Sequence, residues 1–211
     1  MNIIHYSKNG KFSEEILENA KDVVIAIDSQ CISSHQVTLP KMSKSKAHKA
    51  IPFALESQLL DEIDDLNYTF LKSLTQNIWD VFVISKEILE NIENQLFKVK
   101  CSPVAIVPDF MLLPFSEGNI NYYEQDGFIK FRSATNQGGC LASKNFHALF
   151  ADSNLIKADF SYSSDNKVNI QTSNSPKGVS GYLSAWRIPA AIALIALLLA
   201  TSQIGVKNNQ L

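Results

Sequence analysis

Paired cysteines, glycine-rich loops, nucleophile motifs and a charge excess of one sign are all missing from this sequence, and each absence removes a class of function. The three cysteines, Cys31, Cys101 and Cys140, are widely and irregularly spaced, with no CxxC pair and no Cys/His cluster. They offer neither a zinc ligand set nor a disulfide framework, so reduced thiols in a cytosolic setting fit best. With 19 Lys and Arg against 21 Asp and Glu, the net charge is −2, and there is no basic field of the kind phosphate contacts demand. Nucleic acid is therefore not an expected partner.

Catalytic signatures are equally scarce. The four histidines, His5, His35, His48 and His147, stand apart from any nucleophile motif, and GxSxG, HExxH and both Walker motifs are absent. Gly138-Gly139 follows a strand-like segment and offers a close approach to a phosphate, but Ser133 to Gly139 also reads as an ordinary polar loop. The apolar strand ending at Asp28 runs into Ser29-Gln30-Cys31 rather than the glycines that a phosphate-cradling turn requires. No catalytic residue, no cofactor-binding residue and no metal ligand is assigned.

What the chain does have is one long apolar run. Ile188 to Val206 carries no charge, and its 19 residues reach roughly 28 Å as a helix, close to the hydrocarbon thickness of a bilayer. Pro189 falls in its first turn, and Trp186, Arg187 and Lys207 flank it as interfacial anchors. The expectation is a transmembrane helix over 187–206 with a short periplasmic tail at 207–211. The start, Met1 to Tyr6, is too short for the apolar region of a signal peptide. Together with Lys177 and Arg187 ahead of the run, this favours a cytoplasmic N-terminus. Residues 161–186 are rich in Ser, Asn, Lys and Gly and read as a juxtamembrane linker, with a short strand possible at Val168 to Ile170.

Residues 1–160 alternate between strand-like and helix-like segments, which predicts a mixed α/β domain. Val23 to Ile27 is apolar throughout, as in a strand buried on both faces. Ser13-Glu14-Glu15 resembles a helix start, and a helix is expected to Ala20. Gln36 to Leu39 reads as a strand ended by Pro40. A long helical pattern runs from Ser43 to Leu60, with Ala47, Ala50, Ile51, Ala54, Leu55 and Leu59 on one stripe and Pro52 forcing a kink or a new start. Ile78 to Ser85 is a strand, Lys86 to Phe97 an amphipathic helix, and Val104 to Val107 a short buried strand. Ile120 to Glu124 and Phe128 to Arg132 flank Gln125-Asp126-Gly127, a hairpin signal. Asn145 to Phe150 completes the domain as a short helix.

Two charge clusters stand out. Asp61, Glu62, Asp64 and Asp65 lack the spacing and central glycine of a calcium loop, which leaves a solvated helix end or a docking surface for a basic partner. Lys41, Lys44, Lys46 and Lys49 form a basic stretch that suits a solvated face, anionic lipid or a partner protein.

The order of segments resembles a known family. Val37-Thr38-Leu39-Pro40, then Lys49-Ala50-Ile51-Pro52-Phe53-Ala54-Leu55-Glu56, continues through Gln58-Leu59-Leu60 to Asp64-Asp65-Leu66-Asn67. A second block, Val81 to Ser85, is followed by Val107-Pro108-Asp109, Leu112-Leu113-Pro114, Phe131-Arg132 and Gly138. With Trp186-Arg187 leading into one membrane helix, these resemble the type II secretion system protein L family (general secretion pathway protein L). The resemblance implies an actin-like, ribonuclease H-related cytoplasmic domain with two subdomains that has lost ATP hydrolysis, followed by one transmembrane helix. It also implies an inner-membrane scaffold, not an enzyme. Its partners would be the secretion ATPase (protein E) through the cytoplasmic domain, protein M through the membrane region, and another copy of itself. Glu56, Gln58, Asp61, Glu62, Asp64 and Asp65 are the residues placed at the partner interface. Family members continue into a ferredoxin-like periplasmic domain, for which the five residues after Val206 leave no counterpart. The alternative is a membrane-anchored actin-like ATPase, or a nucleotide-binding platform protein like type IV pilus assembly protein M.

Overall fold

The computed structural model describes residues 1–163 and 168–170, save 15, 17, 19, 21, 74 and 76. The apolar run at 188–206 and most of the linker lie outside these residues. Among the described residues, no helix is long and apolar enough to cross a membrane.

Among the described residues, ten strands form three sheets. β1 (Asn2–Tyr6), β2 (Val23–Ile27) and β6 (Ala105–Pro108) make a parallel sheet in the order β1-β2-β6. β3 (Ile32–Thr38), β4 (Leu66–Lys72) and β5 (Ile78–Ser85) make an antiparallel sheet with β5 in the middle. β7 (Asn119–Gln125), β8 (Phe128–Ala134) and β9 (Gln137–Ala142) form a meander, and β10 (Asn154–Lys157) joins it parallel to β7. All described residues belong to one compact unit.

The helices follow from the periodicity. β2 is the centre of the parallel sheet, and all five of its residues are buried, as a strand covered on both faces must be. β5 is also covered on both sides, and its alternation sorts its residues. Val81 and Val83 pack with Ala47, Ile51 and Leu55 of α1 (Lys44–Leu55), while Phe82 and Ile84 join Leu89, Ile92 and Leu96 of α2 (Lys86–Lys98). α3 (Ser143–Leu149) lays Phe146 against Ile120 and Ile129 of the meander. The β7–β8 turn places Asp126 and Gly127 at φ 52° and 78°, the two positive angles of a tight hairpin turn.

Several expectations need correction. The described residues between 13 and 20 are not helical. Ser13 is used elsewhere: its N–H donates to the His5 carbonyl (2.7 Å), and its hydroxyl accepts from the His5 N–H (3.1 Å). α1 does not reach Leu60; it passes through Pro52, ends at Leu55, and gives way to a 3-10 turn at Glu56–Gln58. Ser133 to Gly139 is a loop only at Thr135 and Asn136, the turn between the end of β8 and the start of β9. β1, β4, β9 and β10 have no counterpart in the expected elements. Residues 168–170, at the end of the described chain, pack against β6: Val168 and Ile170 are buried, and the Ile170 N–H donates to the Ile106 carbonyl (2.8 Å).

Gly138 is where a side chain has no room. A Cβ there would lie 2.2 Å from the Phe131 carbonyl oxygen and 2.5 Å from the Phe110 ring, whereas at Gly139 the nearest atoms are 3.9 Å away. Gly138→Ala is expected to cost about 1–3 kcal/mol in urea unfolding, and Gly139→Ala to stay within about 0.5 kcal/mol of the parent. Equal losses at both positions would contradict the close packing of β9 on Phe110.

Candidate functional site

The parallel sheet ends in two carboxylates. Ile27 of β2 pairs with Pro108 of β6, so Asp28 and Asp109 are the next residues on neighbouring strands and leave the same C-terminal edge. In an open α/β sheet this edge is where ligands usually bind. Here it is filled from within. Lys130 reaches in from β8, with its Nζ 2.5 Å from Asp109 Oδ2 and 3.7 Å from Asp28 Oδ2. Asp109 has no exposed surface, and Lys130 is 8% exposed. The other oxygen, Asp109 Oδ1, accepts from the Ser29 N–H (3.1 Å) and from the Ser29 hydroxyl.

Burial and charge shape the titration of this cluster. Burial holds the Asp109 carboxyl above its ordinary value, although Lys130 and Ser29 pull it down. For Lys130 the two carboxylates outweigh burial, and its ammonium is held above the ordinary 10.5. Cys31 and Cys140 are pushed up to about 11, first by burial and then by Asp28 and Asp109. Both are therefore thiols at neutral pH and poor nucleophiles. Burial lowers His5, which is neutral there.

The turn after β2 is equally committed. Its N–H groups go to Asp109 Oδ1 from Ser29, to Asp28 Oδ1 from Gln30 (2.9 Å) and to the Asp28 carbonyl from Cys31 (2.8 Å). A phosphate at this turn would have to displace those internal bonds. Among the described residues, no cluster of His, Cys, Asp or Glu is arranged to hold a metal ion.

A groove of about 770 Å³ opens beside this cluster. One wall is the turn after β2 with β3, another is β9, and Gln58 to Asp61 form its rim. Three side-chain bonds bridge the sheets near it: Ser34 Oγ donates to the Gly138 carbonyl (2.6 Å), and Asp80, which also accepts from Gln36 within its own sheet (2.9 Å), accepts from Asn136 (3.0 Å) and Gln137 (3.2 Å). Arg132 holds the segment after β6, donating to the carbonyls of Met111 (3.1 Å), Leu113 (2.8 Å), Ala134 (3.4 Å) and Thr135 (2.5 Å).

The six residues expected at a partner interface sit together on the surface. Glu56 and Gln58 lie on the 3-10 turn after α1, Asp61 follows, Glu62 caps a second 3-10 turn, and Asp64 and Asp65 lie within it; all six are exposed. Two large apolar side chains accompany them, Phe53 at 68% and Leu60 at 103% exposure. Gln58 and Asp61 face the groove, which the sequence did not foretell. Lys130 was missed altogether, and Asp109 and Ser29 were named only in a family block and in a turn without glycines, not as a site. The available signals were a lysine between Ile129 and Phe131 in a hairpin strand and the Pro108-Asp109 step after a buried strand.

The family described as type II secretion system (T2SS), protein L, matches residues 3–207. The chain belongs to this family. Two curated relatives carry the name type II secretion system protein L. That of Dickeya chrysanthemi is 31% identical over 127 residues, or 60% of this chain, and that of Pectobacterium carotovorum subsp. carotovorum is 24% identical over 139 residues, or 66% of it. The matched stretch spans 32% of the length of either relative. Among solved structures, the chain is similar to the cytoplasmic domain of EpsL, an inner-membrane component of the type II secretion system of Vibrio cholerae. That likeness has a TM-score of 0.62 at 13% identity and covers 81% of this chain and 88% of that one, so the fold is shared. The blocks that carried the resemblance, Val107-Pro108-Asp109 and Phe131-Arg132, hold the cluster and the segment after β6. They are architecture, whereas Glu56, Gln58, Asp61, Glu62, Asp64 and Asp65 are exposed.

Removing the cation tests the cluster. Lys130→Met is expected to lose about 3–5 kcal/mol in urea unfolding at pH 7, because Asp109 is left buried and unpaired. Part of the loss should return on acidification, since a carboxyl whose folded value is raised binds its proton more tightly when folded. In the parent, the stability contributed by Lys130 is full below 10.5 and falls as pH rises through its elevated folded value; the variant should lack that alkaline loss. A variant with parental stability and an unchanged pH profile would contradict the buried pair.

Proposed function

We propose that this chain is the cytoplasmic and membrane-tethering part of the type II secretion platform and that it recruits the secretion ATPase (protein E) to the inner membrane. It acts by binding and carries no catalysis of its own. The single observation behind this reading is the exposed acidic stretch at Glu56, Gln58, Asp61, Glu62, Asp64 and Asp65, set beside exposed Phe53 and Leu60. Exposed apolar side chains next to a run of acidic residues are a common composition of a protein docking site, with the charge setting encounter rate and choice of partner. Family membership supports a place in the secretion system.

The same reading assigns an actin-like domain of two subdomains that has lost hydrolysis. The internally bonded turn after β2 agrees with this, since its N–H groups are already used. The run at 188–206 is read as the single transmembrane helix, with the N-terminus cytoplasmic and protein M and a second copy of the chain met through the membrane region.

Capture of the cognate secretion ATPase by the full chain in detergent, with and without ATP, tests the proposal. Nucleotide-independent capture is expected, weakened about tenfold or more by the combined substitutions Asp61→Lys, Glu62→Lys and Asp64→Lys, and steeply salt-dependent. No capture, together with ATP binding by the chain itself, would overturn the scaffold and favour the actin-like ATPase.

A further inference from the structure

Two of the three thiols border the charged cluster without taking part in its bonding. Cys31 and Cys140 are half-buried, whereas Cys101 is sealed in the main core. Cys31 lies in the turn after β2 and Cys140 on β9, and both line the same groove. The contacts that cross from the β3 sheet to β9 run in one direction. Asp80, the register partner of Gln36, holds Asn136 and Gln137 (3.0 and 3.2 Å). Further along, Ser34 Oγ donates to the Gly138 carbonyl (2.6 Å) and accepts from the Gly138 N–H (3.5 Å). Moving toward the start of β3 is therefore moving toward the end of β9, which carries Cys31 toward Cys140.

The cluster draws the same two residues together from the other side. Cys140 is the cross-strand partner of Lys130, so their side chains leave the same face of the β8–β9 ribbon. Lys130 ends 3.7 Å from Asp28, and the Asp28 carbonyl accepts from the Cys31 N–H (2.8 Å). Asp28, Asp109, Lys130 and Lys8 act on both thiols. Between Cα atoms, β3 and β9 come within 8 Å of one another. A disulfide joins Cα atoms about 4.4–6.8 Å apart, so a bridge would close the groove at its cluster end.

We propose that Cys31 and Cys140 are a redox-closable pair, which an oxidising disulfide joins across the groove, tying the turn after β2 to β9. One thiol loses its proton, and its thiolate attacks oxidised glutathione, releasing one glutathione and leaving a mixed disulfide on the protein. The second cysteine, as its thiolate, attacks the protein sulfur of that mixed disulfide and expels the other glutathione. Both thiol protons and two electrons thus pass from the protein to glutathione, which leaves as two reduced molecules. Because both thiols stay protonated at neutral pH, the step is slow there, and the pair is open in a reducing compartment. The proposal does not depend on the recruitment reading.

The full chain in detergent would be incubated with oxidised glutathione, its remaining thiols alkylated after unfolding, and its tryptic peptides weighed without reduction. A linked pair joining residues 22–41 to 133–144 is expected, short of the two free peptides by two hydrogens, with Cys101 alkylated. Cys31→Ser and Cys140→Ser should each abolish the link and leave a glutathione adduct on the cysteine that remains, while Cys101→Ser changes nothing. The urea midpoint of the oxidised parent should rise and return on reduction, and neither Cys31→Ser nor Cys140→Ser should show that rise. Glutathione held on both cysteines without a link would overturn the proposal, because the two sulfurs would then lie out of reach. So would a link that involves Cys101 or joins two chains, or the absence of any reaction at Cys31 and Cys140.

Discussion

A lysine buried between two carboxylates is the constraint on which the arrangement of this domain depends. Lys130 belongs to the meander, Asp28 and Asp109 to the parallel sheet, and Ser29 begins the turn that leads into the antiparallel sheet, so one cluster touches all three sheets. Burying a lone charge costs several kcal/mol, and a buried pair repays little beyond that cost. What the pair contributes is therefore position. The ammonium can be satisfied only where both carboxylates meet it, and that fixes where β8 and its neighbour β9 lie against the ends of β2 and β6. Asp80 and Arg132 add further hydrogen bonds around the same junction.

The surface then follows from the junction. Once β8 and β9 are placed, β9 stands opposite β3 with a groove between them, and the 3-10 turn after α1 brings Gln58 and Asp61 to its rim. The same cluster leaves the sheet edge where ligands commonly bind already occupied by a side chain and by the turn's own N–H bonds. A domain built this way keeps its charged centre bonded internally and presents shape and charge at its surface. Its membership in the protein L family gives that arrangement a setting in type II secretion.

How much of this could be read in the sequence depended on whether the signal was local. The five apolar residues of β2, the amphipathic face of α2 and the Asp126-Gly127 turn announce themselves within a few positions, and the structure has them where they were expected. β1 and β4 did not, because His5, Asn67, Tyr68 and Thr69 interrupt their apolar pattern and only their neighbours in the sheet make them strands. The end of α1 was overshot because the apolar stripe continues to Leu59, while the backbone turns one residue after Leu55. Lys130 and Asp109 are 21 positions apart, and neither carries a mark of the other, so the central pair was invisible. The acidic stretch was read as an exposed surface and is one; that it borders a groove required the folded neighbours.

The most direct test of this account is a double-mutant cycle on the central pair. Asp109→Asn, Lys130→Met and the double variant would be compared by urea unfolding at neutral pH. Each single change is expected to be strongly destabilising, and the double to be less destabilised than their sum by about 1.5–3 kcal/mol, since removing both partners leaves no buried charge unmatched. Losses that simply add would mean that Lys130 and Asp109 act independently, and the claim that their pairing positions the three sheets would fail.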